Sequence, residues 1–185
     1  MNSNVTDVIL RCSAKTVDDR RVEITYELTN QSSTAIHAYL GAPSSTPDMV
    51  CDAGDGAANV LLGISPLPRF SVYWKYHPDT LKLEAGQTRT GSLLLGTPIL
   101  EESAYHDKPY RDYDRVPIDK LRLIVDFVRP GSKGFDPKMA KGSGVPESVA
   151  CVVNAPGKLE LHRRIDGTGD DDFEREFERR GTGVR

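Results

Sequence analysis

Cysteine is scarce in this chain, with three residues in 185, at Cys12, Cys51 and Cys151. They are odd in number, far apart and never in a C-x-x-C pair, so neither a zinc ribbon nor a disulfide framework is indicated. Cys12 and Cys151 each sit in an apolar alternating stretch, where a thiol behaves as a small hydrophobe. Free cysteines in a reducing compartment are the expectation. Long hydrophobic runs are also lacking, and none approaches the ~18 apolar residues of a membrane span. The opening MNSNVTDVILRCSAKT has no basic leading region, and its apolar run of Val8, Ile9 and Leu10 is too short for a secretory signal. A cytoplasmic protein without membrane contact is expected. Basic excess is missing too. The net charge is −3 and the pI near 5.8, with Lys and Arg scattered rather than striped, which speaks against nucleic acid as a partner.

The motifs of common chemistries are absent. There is no Walker A loop and no G-x-G-x-x-G after a strand. No nucleophile elbow occurs, because Gly91-Ser92 runs into three leucines and Gly142-Ser143-Gly144 lies in a glycine-rich connection. The four histidines, His37, His77, His106 and His162, form no H-x-H or H-x-x-x-H pair, and His37 and His162 fall on the polar sides of their strands, where a solvated ring is the simplest reading. The run Asp166-Gly-Thr-Gly-Asp170-Asp171-Asp172 begins like an EF-hand loop. It fails where the turn needs glycine (Asp171) and where a bidentate glutamate is required (Phe177). Asp52 and Asp55 are too few for a calcium cage. No catalytic residue, no metal ligand and no cofactor is assigned.

What is present is period-two alternation. In RRVEITYELTN, Val22, Ile24, Tyr26 and Leu28 share one face, and Arg21, Glu23, Thr25, Glu27 and Thr29 share the other. That is a strand with one buried and one wet face, and Asn30-Gln31-Ser32-Ser33 ends it with turn-prone residues. Val8, Leu10 and Cys12 align likewise, as do Ile36, Ala38 and Leu40, and Val60, Leu62 and Ile64. FSVYWKY sets Phe70, Val72, Trp74 and Tyr76 against Ser71, Tyr73 and Lys75. TLKLE, QTRTGSLLLG, KLRLIVDFV (with Leu121, Leu123, Val125 and Phe127 inward), SVACVV and KLELH complete eight to ten short strands between Gly, Pro, Asn, Asp and Ser clusters. The pattern predicts an all-β, antiparallel two-sheet sandwich over residues 1–164. No amphipathic helix of any length interrupts it, so a βαβ nucleotide fold is not expected.

Three connections are long: 41–57, 98–117 and 130–147. Structureless loops above about 12–15 residues are uncommon and tend to carry function or disorder. The second contains AYHDKPYRDYDRV, with Tyr105, Tyr110 and Tyr113 among dense charges. Residues 165–185 change composition sharply and form a charged tail. Asp171–Arg175 and Glu176–Arg180 are i,i+4 pairs of favourable order, with Phe173 and Phe177 on one face of the short helix this spacing suits.

VEITYELTNQSS resembles the opening strands of bacterial immunoglobulin-like domains, and LKLEAGQTRTGSLLL is similar to a later strand–turn–strand of such domains. The resemblance covers two strand pairs. It implies an immunoglobulin-like or fibronectin-type sandwich with a binding or assembly role, since the fold itself encodes no chemistry. The chain departs from the antibody pattern: Trp74 lies between Cys51 and Cys151, whose separation in sequence is too great for the bridged pair.

The reading that follows is a non-enzymatic module for protein–protein interaction or assembly. Its candidate interface is Tyr105, Tyr110, Arg111, Tyr113 and Arg115, with Phe173 and Phe177 of the tail as a second docking element. Tyrosine gives large contact area at low entropy cost, and Arg111 and Arg115 suit acidic groups on a protein partner. One alternative is a metal-dependent hydrolase or other enzyme on a β scaffold, using His106, Asp107, Asp112 and Asp114. A further alternative is a carbohydrate-binding module, in which Trp74 and Tyr73 point to opposite faces and only one of them can stack on a sugar.

Overall fold

The computed structural model describes residues 7–40, 47–63, 80–103, 113–131 and 146–165, and within them every regular element is a strand. Strands β1 (Val8–Asp18) and β2 (Arg21–Asn30) form a hairpin. Its turn is fastened by Asp18, which accepts from the Arg20 backbone N–H at 2.9 Å and from the Arg21 guanidinium at 2.6 Å. Strand β7 (Thr88–Gly96) adds to the far side of β2, giving a three-stranded antiparallel sheet in the order β1-β2-β7. As the alternation requires, Val22, Ile24, Tyr26 and Leu28 are buried. Gly91 lies opposite Tyr26, and a Cβ there would collide with the tyrosine ring. The glycine in TRTGSLLL is a place for an aromatic ring to lie flat on the neighbouring strand.

The second sheet is organised by β10 (Tyr113–Val128). One edge of β10 pairs along its length with β11 (Glu147–Arg164). The other edge is shared end to end by β5 (Ala57–Leu62) and β3 (Ile36–Ala38). Beyond these lie β4 (Met49–Asp52) and β9 (Glu102–Ser103) on the β5 side, β6 (Leu81–Leu83) on the β3 side, and β8 (Ile99–Leu100) beside β11. Val8, Leu10, Ile24, Leu28, Leu93 and Leu95 of the first sheet pack against Ile36, Val60, Leu83, Leu121, Leu123, Val125 and Phe127 of the second in one core.

Four expectations are corrected. The ladders are not all antiparallel: β5 runs parallel to β10, and β8 parallel to β11. Consistent with that, AANVLL is buried at every position instead of alternating, as strands in parallel arrangements are, with Met49, Cys51 and Leu61 in a small cluster of their own. The 41–57 connection contains β4 and reaches β5. The 98–117 connection contains β8 and β9, and β10 begins at Tyr113 rather than near Ile118. SVACVV and KLELH are one strand, β11, interrupted by a bulge. Ile118 pairs Leu159 and Lys120 pairs Asn154, so Ala155-Pro156-Gly157-Lys158 stand opposite the single residue Asp119, with Gly157 at φ +100°. The expected strand 70–76, with Tyr73 and Trp74, and the tail with Phe173 and Phe177 lie outside the described residues.

One polar side chain joins the two sheets. Asn30, the last residue of β2, is fully buried. Its amide N–H groups donate to the backbone carbonyls of Thr34 (2.9 Å), Leu83 (3.0 Å) and Glu84 (3.1 Å). Its Oδ1 accepts from the Ser32 N–H at 3.1 Å and hydroxyl at 2.6 Å. Replacing Asn30 with Ala strands these buried carbonyls, and the loss expected in urea unfolding is about 2–4 kcal/mol. A loss below about 0.5 kcal/mol, the ordinary range of surface substitutions, would show that water replaces the amide.

Candidate functional site

The outer face of the β10–β11 arm carries the described part of the expected interface. Tyr113 and Arg115 are two residues apart on β10 and so project to the same side. Across the ladder, Arg115 pairs His162 and Pro117 pairs Glu160. The Tyr113 and His162 rings lie 5.6 Å apart, tilted by 40°. His162 Nε2 and Glu160 Oε1 are 2.8 Å apart, while Arg115 reaches the same carboxylate only at 3.8 Å. The Arg115 side chain is 75% exposed, so that contact leaves its guanidinium available.

The bulge widens this face into an open groove of about 460 Å³, lined by Asp19, Thr97, Pro98, Arg115, Lys158, Glu160 and His162. Its floor comes from both sheets, because Thr97 hydrogen-bonds to the β1–β2 turn through N–H to Arg20 O at 2.8 Å and hydroxyl to Asp19 O at 3.0 Å. The Thr97–Pro98 peptide is cis. Lys158 stands exposed on the bulge and makes no ion pair among the described residues. On the opposite face of the arm, Arg163 bridges Asp52 at 3.1 Å and Asp114 at 3.0 Å. Buried Glu101 accepts from the Asp52 N–H at 3.1 Å. Its hydrogen bonds to Asp114 and then Asp52 raise the affinity of Arg163 for its proton.

A second cluster lies where β3, β5 and β10 end. Asp126 is fully buried and accepts from the Ser148 hydroxyl at 2.6 Å. Asp48 accepts from the Gly63 N–H at 2.8 Å. Gly63, at φ +150°, lies so close to the Asp126 carboxylate that a Cβ would collide with it. Burial pushes the Asp48 carboxyl up to about 6, the Gly63 N–H opposes this, and the Asp126 charge adds to it. Burial, and then the same Asp126 charge, raise the Tyr39 phenol. A desolvated carboxyl that faces a second acidic group, as Asp48 does, is suited to holding a proton closer to neutral pH than a free one.

Of the expected site residues, then, Tyr113 and Arg115 are together, while Tyr105, Tyr110, Arg111, Phe173 and Phe177 lie outside the described residues. Among the acidic groups considered for hydrolysis, Asp114 is engaged by Arg163, and His106, Asp107 and Asp112 lie outside them as well. Sequence reasoning missed Lys158, Glu160 and His162 as groove residues, and the Asp48–Asp126 pair. Glu160 and His162 meet Arg115 only through the β10–β11 register, Lys158 joins them only in lining the groove, and the acids are 78 positions apart. Among the described residues no three His, Cys, Asp or Glu side chains are placed to share a metal ion, and no helix is long and apolar enough to cross a membrane. In comparison with known proteins, no family model, no curated protein and no solved structure matches the chain.

Asp48 makes a pH-dependent contribution with a definite sign. The folded value of Asp48 is above its ordinary 3.8, so the stability it adds is full below pH 3.8 and is lost as pH rises through about 6. Asp7, Asp18 and Asp55, held low chiefly by Arg129, Arg21 and Arg122, act oppositely and lose theirs in acid. Asp48→Asn should remove a decline of about 2–3 kcal/mol between pH 4 and pH 7. Parallel pH–stability curves for wild type and variant would show that Asp48 titrates normally.

Proposed function

We propose that this chain is an immunoglobulin-like β-sandwich module, without catalytic activity of its own, that binds a protein partner through the outer face of the β10–β11 arm. The observation that carries the reading is the juxtaposition of Tyr113, Arg115, His162 and Lys158 beside an open groove. Interfaces favour an aromatic with an arginine at the centre and a polar rim. Lys158 and the exposed Arg115 supply positive charge on a chain whose net charge is negative, which suits a partner segment bearing carboxylates. In sequence, the stretch leading into Tyr113 adds Tyr105, Tyr110 and Arg111 to the same composition. The immunoglobulin-like assignment rests on two sheets sharing one core and on the strand motifs of β2 and β6–β7; the parallel β5–β10 pair is a departure from it.

The test is purification of the tagged chain from its native host beside the Arg115→Glu/Lys158→Glu double variant. Both positions are solvent-exposed, so the variant should fold normally. A stoichiometric protein retained by wild type and lost, or weakened at least tenfold, in the variant supports the reading. Equal recovery by both places the interface elsewhere.

A second reading, an enzyme on a β scaffold, draws support from the Asp48–Asp126 pair, whose raised Asp48 value suits a general acid. If this pair works with a metal, mass spectrometry of protein purified without chelators should find stoichiometric metal, and Asp126→Asn should lose it. Metal-free wild-type protein would remove the metal-dependent form of this reading.

A further inference from the structure

The three cysteines are far apart in sequence, but two of them meet in the fold. Cys12 is on β1, at the edge of the first sheet, and Cys151 is on β11, in the second. Both are half-buried free thiols packed against the same core, on strands that lie against each other, and Cys151 is near enough to perturb the Cys12 thiol. β1 and β11 share no backbone ladder, yet they run side by side and in step. Arg129 ties Asp7 to Glu147, donating to Asp7 at 2.8 and 3.0 Å and to Glu147 at 2.9 Å. Further along, the Thr16 hydroxyl donates to Pro156 O at 3.0 Å. The cysteine contact falls between these two fastenings, so the thiols are held together by the strands on either side of them.

We propose that Cys12 and Cys151 are a covalent modification site: a dithiol that closes, under a small disulfide oxidant such as oxidised glutathione, into an intramolecular disulfide joining the two sheets. One cysteine, as its thiolate, attacks a sulfur of the oxidant, forming a mixed disulfide and releasing one small thiol. The other, as its thiolate, attacks the protein-bound sulfur, forming the Sγ–Sγ bond and releasing the second thiol. Two electrons pass from the cysteines to the oxidant, whose two sulfurs leave carrying the two protons.

Proximity favours the second, intramolecular step over mixed-disulfide accumulation. Burial, then the neighbouring Cys151, raises the Cys12 thiol well above its ordinary value, so Cys12 reacts slowly at neutral pH and closure is faster in alkali. Cys51 differs. It is fully buried and accepts from the Asn59 amide at 3.7 Å, apart from the other two, so it stays a thiol.

The experiment treats the purified full-length chain with oxidised glutathione at pH 7 and pH 9, then quenches and denatures it. The expected result is a fall from three titratable thiols to one, a mass loss of two hydrogens, and a non-reduced proteolytic peptide pair containing residues 12 and 151. Closure should be at least tenfold faster at pH 9, and the thermal midpoint should rise and return on reduction. Cys12→Ser and Cys151→Ser should each abolish the intramolecular product while remaining folded by circular dichroism. Three thiols persisting in wild type, a disulfide that includes Cys51, stable glutathionylation without closure, or cross-linking only between chains would each overturn the proposal.

Discussion

The two sheets of this protein are joined at Asn30, and the arrangement of the rest depends on that join. An amide is suited to the position because it donates and accepts at once. The three carbonyls it satisfies come from the β2–β3 connection, from β6 and from the turn after β6. The backbone of Asn30 also accepts from the Gly86 N–H at 2.7 Å and donates to Gln87 O at 3.0 Å, so it holds both ends of the segment that passes from the second sheet back to the first. A buried residue of either wholly apolar or wholly acceptor character would leave some of these groups unpaired, at a cost no nearby apolar contact offsets. With that corner fixed, the first sheet is set against β10, and the apolar faces interlock as one core.

β10 then organises the second sheet. From Lys120 onward other strands pair with both of its edges, and its later residues, from Val125 to Val128, are buried. Only its first part, with β11, projects an outward face carrying Tyr113 and Arg115. The bulge at Ala155-Pro156-Gly157-Lys158 interrupts the β10–β11 register there, and Lys158 lines the groove. A bulge of this kind also blunts a long edge strand against unwanted pairing. The network around Arg163 holds the arm from behind, so the groove is presented by a braced element.

The two polar clusters differ in kind. At the arm, charges alternate in sign and most are within reach of water, an arrangement that adds little to stability. At the Asp48–Asp126 cluster, two acids of the same sign are desolvated near a glycine that has no room for a side chain, an arrangement that costs stability when both are charged. A binding module requires only the first; the second keeps an acid–base role in view.

Much of the fold was legible in the chain. Strict alternation placed Val22, Ile24, Tyr26 and Leu28 inside β2, and Leu121, Leu123, Val125 and Phe127 inside β10, because a strand buried on one face must repeat every two residues. The Glu84-Ala85-Gly86 turn was legible for a similar local reason: Gly86 takes φ +75°, which other residues resist. The all-β class followed from these local rules. Pairing partners did not, because any exposed strand edge can accept any other. Hence the parallel β5–β10 ladder, the fusion of two apparent strands into β11, the meeting of Arg115 with His162 and Lys158, and the contact of Cys12 with Cys151 were settled only by tertiary structure. Spacing along the chain determined which side chains turn inward; the register between distant strands decided which of them meet.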